Sequence, residues 1–422
     1  MRKAVLMGLT IALAACGDGP TGIKPPPQDT ITTPVFTLHE LPMLGAGTVA
    51  ERWTAEIAVR DGFAYTTTWG ARNNLRGDVV KVWNISGSTP LLLDSLVLTG
   101  AGTTSDVQIS ADGKYLIVST EAGNNNGIAI FDRSANRAHP ALVNRYSSAN
   151  TTQGVHTVKL ARISERHYAF LSIDPATSAT GTPLPARLVI TDITNPLQPV
   201  DVWVRVMGRP YSHDVFVRDG YLFTAEWNDG MRIWDVGGGN RGGSPANPVE
   251  LGSVHTVNGQ VHNIWWFYNP NGEKKYVFIG EEGPAQLFHN SSGDIHVVDV
   301  STMSSPREVA FFHADSTTTS TGGNAGTHNF SMDESSRILY AAYYNGGVRA
   351  LDVSGDLSAC TSAQKAADGR CDLGLMKREV GRALNTIGKP VFVWGVQYAS
   401  GRVYASDMVN GIEIIDASAL KR

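Results

Sequence analysis

Seven short, mostly apolar strand-like segments recur along the chain, and each ends in an acidic or amide residue followed by a turn. They occupy residues 79–84, 128–132, 188–192, 231–235, 295–299, 348–352 and 412–416. The closing positions 84, 132, 192, 235, 299, 352 and 416 lie 43 to 64 residues apart. Short strands repeated at this spacing are typical of propeller blades with loops of variable length.

Each of these segments is preceded by a predicted hairpin and followed by another strand. Asp-Gly pairs at 61–62, 112–113 and 219–220 separate apolar runs, and they favour a tight turn because glycine accepts a positive φ. Fourth strands are predicted at 91–97, 199–204, 249–254 and 307–312. A lone hairpin unit cannot bury its apolar face, so the units must close on one another. We therefore predict an all-β, seven-bladed propeller with blades at about 54–98, 104–147, 155–206, 212–256, 261–313, 327–384 and 391–418.

The seventh repeat stops after its third strand, near residue 418. The apolar segment 35–41 has no place in the first blade, and we predict that it supplies the missing fourth strand. This pairing of an N-terminal strand with the last blade would remove the open sheet edge. The acidic or amide residue that closes each third strand is predicted to bond turn amides, so we assign it a structural role.

The first residues have the pattern of an export signal. Arg2 and Lys3 precede a mostly apolar run, 4–12, which is too short to span a membrane. The following Leu-Ala-Ala-Cys, ending at Cys16, resembles the bacterial lipoprotein box; an ordinary cleaved signal is the alternative. The resemblance implies a signal peptide over 1–15, lipid attachment at Cys16, and a membrane-anchored protein at the outer membrane or cell surface. Residues 16–34, rich in Gly and Pro, are predicted to be a disordered tether, with the propeller spanning 35–422.

The net charge limits the kinds of partner to be expected, and the cysteines are interpreted in the context of an exported chain. The formal net charge is −4, whereas a nucleic-acid surface needs a basic excess. Cys360 and Cys371 are 11 residues apart, and in an exported chain we predict that they form a disulfide. A metal pair is less favoured, since the spacing is not Cys-x-x-Cys. We expect a monomer that contacts the membrane through its lipid.

The third-strand segment resembles the repeat of the LVIVD family of exported bacterial proteins. The best copies are Leu-Val-Ile-Thr-Asp at 188–192 and Ile-Glu-Ile-Ile-Asp at 412–416. The resemblance implies a propeller that is lipidated or otherwise anchored outside the cytoplasm, and it implies no reaction. A WD-type repeat is a weaker match, because Trp234-Asp235 is its single copy.

Four histidines share one repeat position, directly before the first strand of four consecutive blades. They are His156, His213, His262 and His328; the other blades have Ala55, Ser105 and Trp394 there. The first strand of a propeller blade lines the central channel, so one repeat position means one height around the axis. We therefore predict that the four imidazoles converge at one mouth of the channel.

Carboxylates are predicted at the same mouth, because the antiparallel second strand ends beside the start of the first. Those at or next to the second-strand ends are Glu121, Asp174, Glu226, Glu281, Glu282 and Asp407. Imidazole and carboxylate together favour a divalent transition metal (Zn, Cu, Fe or Mn). We predict His156, His213, His262, His328, Glu226 and Glu281 as its ligands. Segments 175–186, 283–293 (with His289) and 314–326 are predicted to form a wall on this face.

Other interpretations of the histidines remain open: hydrogen bonds between blades, or a metal-free substrate site. Likewise Trp69, Trp227 and Tyr344 predict either an aromatic rim for a ligand or packing between blades. The leading function is a binding or scaffold module for a protein, peptide or glycan at the channel face. The alternative is a metal-dependent oxidase, lyase or hydrolase at the axis. The sequence has no Gly-x-Ser-x-Gly elbow, phosphate loop, His-Glu-x-x-His or dinucleotide motif.

Overall fold

The computed structural model describes residues 36–178, 180–267, 275–282, 293–315, 326–384 and 391–421. Within these ranges the strands form seven antiparallel blades around a central channel, as predicted. In each blade the first strand lies next to the axis and the fourth lies outermost. Cys16, His289 and most of the predicted wall segments 283–293 and 314–326 lie outside the described residues.

The first four blades are built from sixteen strands. These are Trp53–Arg60, Phe63–Trp69, Val79–Asn84 and Leu91–Val97; Thr103–Ile109, Tyr115–Glu121, Gly127–Asp132 and Ala141–Tyr146; Thr157–Ile163, Arg166–Ile173, Ala186–Asp192 and Val200–Met207; and Asp214–Arg218, Tyr221–Ala225, Met231–Asp235 and Val249–Val254. Two small hairpins, Ala71–Arg72 with Leu75–Arg76 and Ala176–Thr177 with Pro183–Leu184, extend from the first and third blades.

The last three blades follow the same order. Their strands are Val261–Trp266, Tyr276–Glu281, Ile295–Asp299 and Arg307–Phe312; Phe330–Asp333, Ile338–Ala342, Val348–Asp352 and Glu379–Ala383; and Val393–Ala399, Arg402–Asp407 and Gly411–Asp416, with the fourth strand of the last blade from the N-terminal part of the chain. Short 3-10 helices cover Ser362–Gln364 and Ser418–Leu420. No helix among the described residues is both long and apolar enough to cross a membrane.

An N-terminal strand closes the ring, but it is not the predicted one. Met43–Gly47 pairs with Gly411–Asp416, whereas His39–Glu40, within the predicted segment 35–41, pairs in parallel with Glu379–Ala383 of the sixth blade. The reason is steric. A Cβ at Gly45 would lie 2.4 Å from a backbone oxygen of the first blade, so only a strand with glycine there fits.

The residue that closes each third strand has the predicted structural role in every blade. Its side-chain oxygen accepts a hydrogen bond from the backbone N–H two residues later, as in Asp299 with Ser301 and Asp416 with Ser418, both at 2.9 Å. The residues concerned are Asn84, Asp132, Asp192, Asp235, Asp299, Asp352 and Asp416. The motif therefore fixes turns and leaves the chemistry to other positions.

Cys360 and Cys371 form the predicted disulfide, with Cα atoms 5.9 Å apart. They lie in the long connection between the third and fourth strands of the sixth blade. Cys371–Asp372 pairs in parallel with Arg307–Phe312 of the fifth blade. The bridged connection thus joins the outer edges of two neighbouring blades.

Candidate functional site

The structure brings the four histidines together around the channel axis. Successive ring centroids from His156 through His213 and His262 to His328 are 4.6, 4.1 and 4.4 Å apart. Trp394 continues the circle 4.1 Å from His328, and Trp69 closes it, 5.3 Å from Trp394 and 5.7 Å from His156. We call the four imidazoles the histidine ring. Together with the two indoles they close one mouth of the channel.

Backbone carbonyls fix the tautomers of two central histidines. His213 Nδ1 lies 3.3 Å from the carbonyl oxygen of His262, and His262 Nδ1 lies 3.0 Å from that of His328. A carbonyl can only accept, so each Nδ1 carries the hydrogen and each Nε2 keeps its lone pair. Metal-bound histidines in proteins are commonly oriented in this way.

The four histidines of the ring differ in protonation state. Burial, together with the neighbouring imidazoles, lowers the pKa of His213, His262 and His328 well below 6.5. Burial acts in the same direction on His156, but the carboxylates of Glu121, at 2.9 Å from Nδ1, and Asp174 raise the pKa of His156 to about 10. The protonated His156 therefore donates from Nε2 to Nε2 of neutral His213 at 2.9 Å.

The structure does not bring the two predicted carboxylate ligands to the histidine ring. Glu226 lies between Arg205 and Arg232, at 2.8 and 2.9 Å, on outer strands of the third and fourth blades. Glu281 turns away from the channel towards His296, with 3.7 Å between Oε2 and Nε2. Both carboxylates are held by cations inside blades, so neither is placed to share an ion with the four imidazoles.

Glu282, the next residue along, supplies the carboxylate instead. Its Oε2 lies 3.7 Å from Nε2 of His262, and the hydroxyl of Tyr344 donates to its Oε1 at 2.5 Å. Burial raises the pKa of Glu282 to about 7. One ligand atom each from His213, His262 and Glu282 lie within 4.8 Å of one another. Among the described residues this trio is the one group with the spacing of a metal site.

The aromatic residues at the second-strand ends pack between blades. Trp227 is 9% exposed and Tyr344 5%. Trp227 lies against His213, and Tyr344 against His328, at 4.5 and 5.5 Å between centroids. A cavity of about 20 Å³ lies beneath the histidine ring, enough for roughly one water molecule.

A second polar layer, which the sequence interpretation missed, lies one step deeper in the channel. We call it the lower layer; it consists of Glu56, Asp106, Lys159, Asp214 and Asn329. Its three carboxylates directly follow the histidine position in their blades, so an alignment shifted by one residue would have found them. Burial raises the pKa of Glu56 to about 8 and that of Asp214 to about 6. A cavity of about 320 Å³ extends from this layer towards the other mouth, between the far ends of the first strands.

The model of one repeat family matches the chain, at residues 101–148 and 210–256, which cover the second and fourth blades; its description is the LVIVD repeat. The chain contains LVIVD repeats. The repeat confirms the family resemblance and the propeller fold. No curated protein matches this LVIVD propeller in sequence.

Solved structures resemble the LVIVD propeller in fold. The crystal structure of Saccharomyces cerevisiae Sqt1 has a TM-score of 0.54 and 9% identity, covering 90% of this chain and 86% of that one. The WD40 repeats of RRP9 have a TM-score of 0.56 and 11% identity, covering 89% and 97%. At such identities the likeness concerns the fold alone. The histidine ring and the lower layer therefore have to be interpreted from their own chemistry.

Proposed function

We propose that this protein is an exported, lipid-anchored binding module whose channel mouth holds a divalent transition metal. The observation that carries the proposal is the trio of His213, His262 and Glu282, with ligand atoms within 4.8 Å. The Cys16 lipid anchor rests on the lipoprotein box in the sequence. The partner at the channel face is a protein, peptide or glycan.

The chemistry of the trio fits a transition metal. Two neutral imidazoles and one carboxylate form a donor set that suits zinc, copper or iron. The lone pairs are already oriented, because backbone carbonyls hold Nδ1–H of His213 and His262. The hydroxyl of Tyr344 orients Glu282 in the same manner. His156 would supply a further imidazole after losing a proton, so metal binding should release protons.

The confined space around the histidine ring favours a binding module over a metalloenzyme. His213, His262 and Glu282 are 6, 2 and 7% exposed, and the adjoining cavity of about 20 Å³ is too small for an organic substrate. A metal held there would stiffen the junction of the fourth and fifth blades. Propellers of the WD40 type commonly bind protein partners, which supports the same function for this face.

Elemental analysis of the purified protein tests the proposal. We expect about one metal ion per chain, retained on desalting, and its loss in the His213→Ala/His262→Ala variant. His139→Ala is the matched control, since His139 is exposed and pairs with Asp94 on the surface. Partner capture should survive the double variant if the fold does. A wild-type protein that stays metal-free after incubation with zinc, copper, iron and manganese rules out the metal; a Cys16→Ser variant still membrane-bound rules out the anchor.

A further inference from the structure

We infer that the lower channel is a second binding site, which takes a small zwitterion carrying an ammonium and a carboxylate, such as a free amino acid. The site lies in the cavity of about 320 Å³ below the lower layer, on the side away from the histidine ring. Its volume is within the range of small-molecule pockets. Ligand binding in this cavity does not require the proposed metal, because the histidine ring and the lower layer close the end of the cavity that faces the metal site.

Lys159 provides the cationic half of the site. Its ammonium makes no hydrogen bond, and no ion pair closer than 4.0 Å, with any residue that the structure describes. The surrounding carboxylates of Asp214, Asp106 and Glu56 outweigh burial and raise the pKa of Lys159, so it is charged. The side chain lines the cavity and remains partly accessible there. Three N–H donors are thus available to a carboxylate.

Asp214 provides the anionic half. Its Oδ1 accepts from the backbone N–H of Val215 at 2.7 Å, while in the described part of the chain Oδ2 has no hydrogen-bond partner. Asp106 differs, because its two oxygens accept from the backbone N–H groups of Val107 and Val158 at 2.7 and 2.9 Å. Asp214 therefore offers an oxygen to a ligand ammonium, whereas both oxygens of Asp106 are already used.

The two signs together select the ligand. A simple cation would be repelled by Lys159, and a simple anion would be repelled by Asp214 and Asp106. A zwitterion meets both charges, and each of its ends gains a charge-assisted hydrogen bond away from bulk water. Arg60 and Arg218, which line the cavity nearer its mouth, would draw the carboxylate of an approaching ligand.

Calorimetric titration of the metal-stripped protein tests the inference. The probes are glycine, L-alanine, L-serine, L-glutamate and L-lysine, with acetate and ethylamine as the separate halves. We expect at least one amino acid to bind at least tenfold more tightly than either half. Lys159→Met and Asp214→Asn should each weaken this binding at least tenfold. Lys114→Met is the matched control, because Lys114 lies on an exposed turn.

Each outcome is decisive. The absence of binding by all five amino acids overturns the inference, as does equal binding of acetate or ethylamine. Unchanged affinity in both channel variants, with thermal midpoints like that of the wild type, would place the ligand elsewhere and also overturn it. Lys159→Arg keeps the charge and should retain part of the affinity. If the protein holds no metal but binds the amino acid, the proposed function fails and this site stands.

Discussion

The fifth blade contains two buried histidines in opposite protonation states. His262, on the first strand, is 2% exposed and has a pKa well below 6.5. His296, on the third strand, is fully buried, yet its pKa is raised to about 9. Each Nε2 lies 3.7 Å from a carboxylate oxygen, of Glu282 and Glu281 respectively. Burial and the carboxylate beside Nε2 are thus alike in the two histidines, so their different pKa values have another cause.

The difference lies at Nδ1. That of His262 donates to a backbone carbonyl, whereas that of His296 lies 2.8 Å from Oε1 of Glu308. Burial alone would lower the pKa of His296, but two carboxylates overcome it, and Arg370 balances the remaining charge of Glu308. His296 therefore belongs to a structural ion network, while His262 keeps a neutral ring with a lone pair that a metal can use.

Removing Glu308, the second carboxylate beside His296, should have the largest effect on stability. Glu308→Ala leaves His296 and Arg370 without their shared partner inside the blade. Breaking a buried pair of this kind costs about 3–5 kcal/mol, and we expect the free energy of unfolding to fall by that amount in chemical denaturation. Glu165→Ala is the control: its ion pair with Arg162 is exposed, so the change should stay below about 1 kcal/mol. Equal losses would show that the fifth-blade network is not structural.

In the metal-free protein, the pH dependence of stability should distinguish His296 from His262. His296 has a folded-state pKa of about 9, above its ordinary 6.5. Its contribution is therefore complete below pH 6.5 and is lost as pH rises to about 9; His156 acts on the same side. The neutral histidines act oppositely: the unfolded chain binds their protons more readily, so stability falls as pH drops below 6.5.

Two variants resolve these contributions. His296→Asn should flatten part of the alkaline decline, and His262→Asn should reduce the acidic slope by about 1.4 kcal/mol per pH unit, the value of one proton. Urea denaturation from pH 5 to 9 in the presence of a chelator measures both. Unchanged slopes in the two variants would contradict the assigned protonation states.

The sequence was sufficient to predict the blades and the histidine ring, because one repeat position fixes one height in a propeller. It was insufficient for the carboxylate partner. In the fifth blade Val261 pairs with Glu281 and Asn263 with Gly280, so His262 is an extra residue in a bulge. Such a bulge changes the direction of side chains. Here it occurs beside the two adjacent glutamates, of which Glu282 and not Glu281 contacts the histidine ring. Local alternation along a strand does not reveal where a bulge occurs.

The closing strand was mispredicted for a related reason. Residues 35–41 and Met43–Gly47 are both short and largely apolar, and the choice between them depends on contacts with another blade. A Cβ at Gly47 would lie 2.5 Å from the ring of Trp83. Lys159 was missed because its own repeat position carries no pattern across blades; its length brings the ammonium to the lower layer. The carboxylate partner, the closing strand and the position of Lys159 all depend on contacts between segments that are distant in sequence.

The smallest expected effect is a change in metal affinity. It compares two adjacent tyrosines, one beside the histidine ring and one beside the ion network of His296. The hydroxyl of Tyr344 donates to Glu282, beside the histidine ring, while that of Tyr343 donates to the carbonyl of Gly293, on the side of Glu281. Groups that orient a metal ligand typically change metal affinity by 10- to 100-fold. Tyr344→Phe keeps the ring packing and should weaken zinc binding about tenfold in a chelator competition assay. Tyr343→Phe should leave zinc affinity unchanged, although it too removes a buried hydrogen bond. If both variants weakened zinc binding equally, the loss would reflect general loosening of the blade, and Glu282 would not be a ligand.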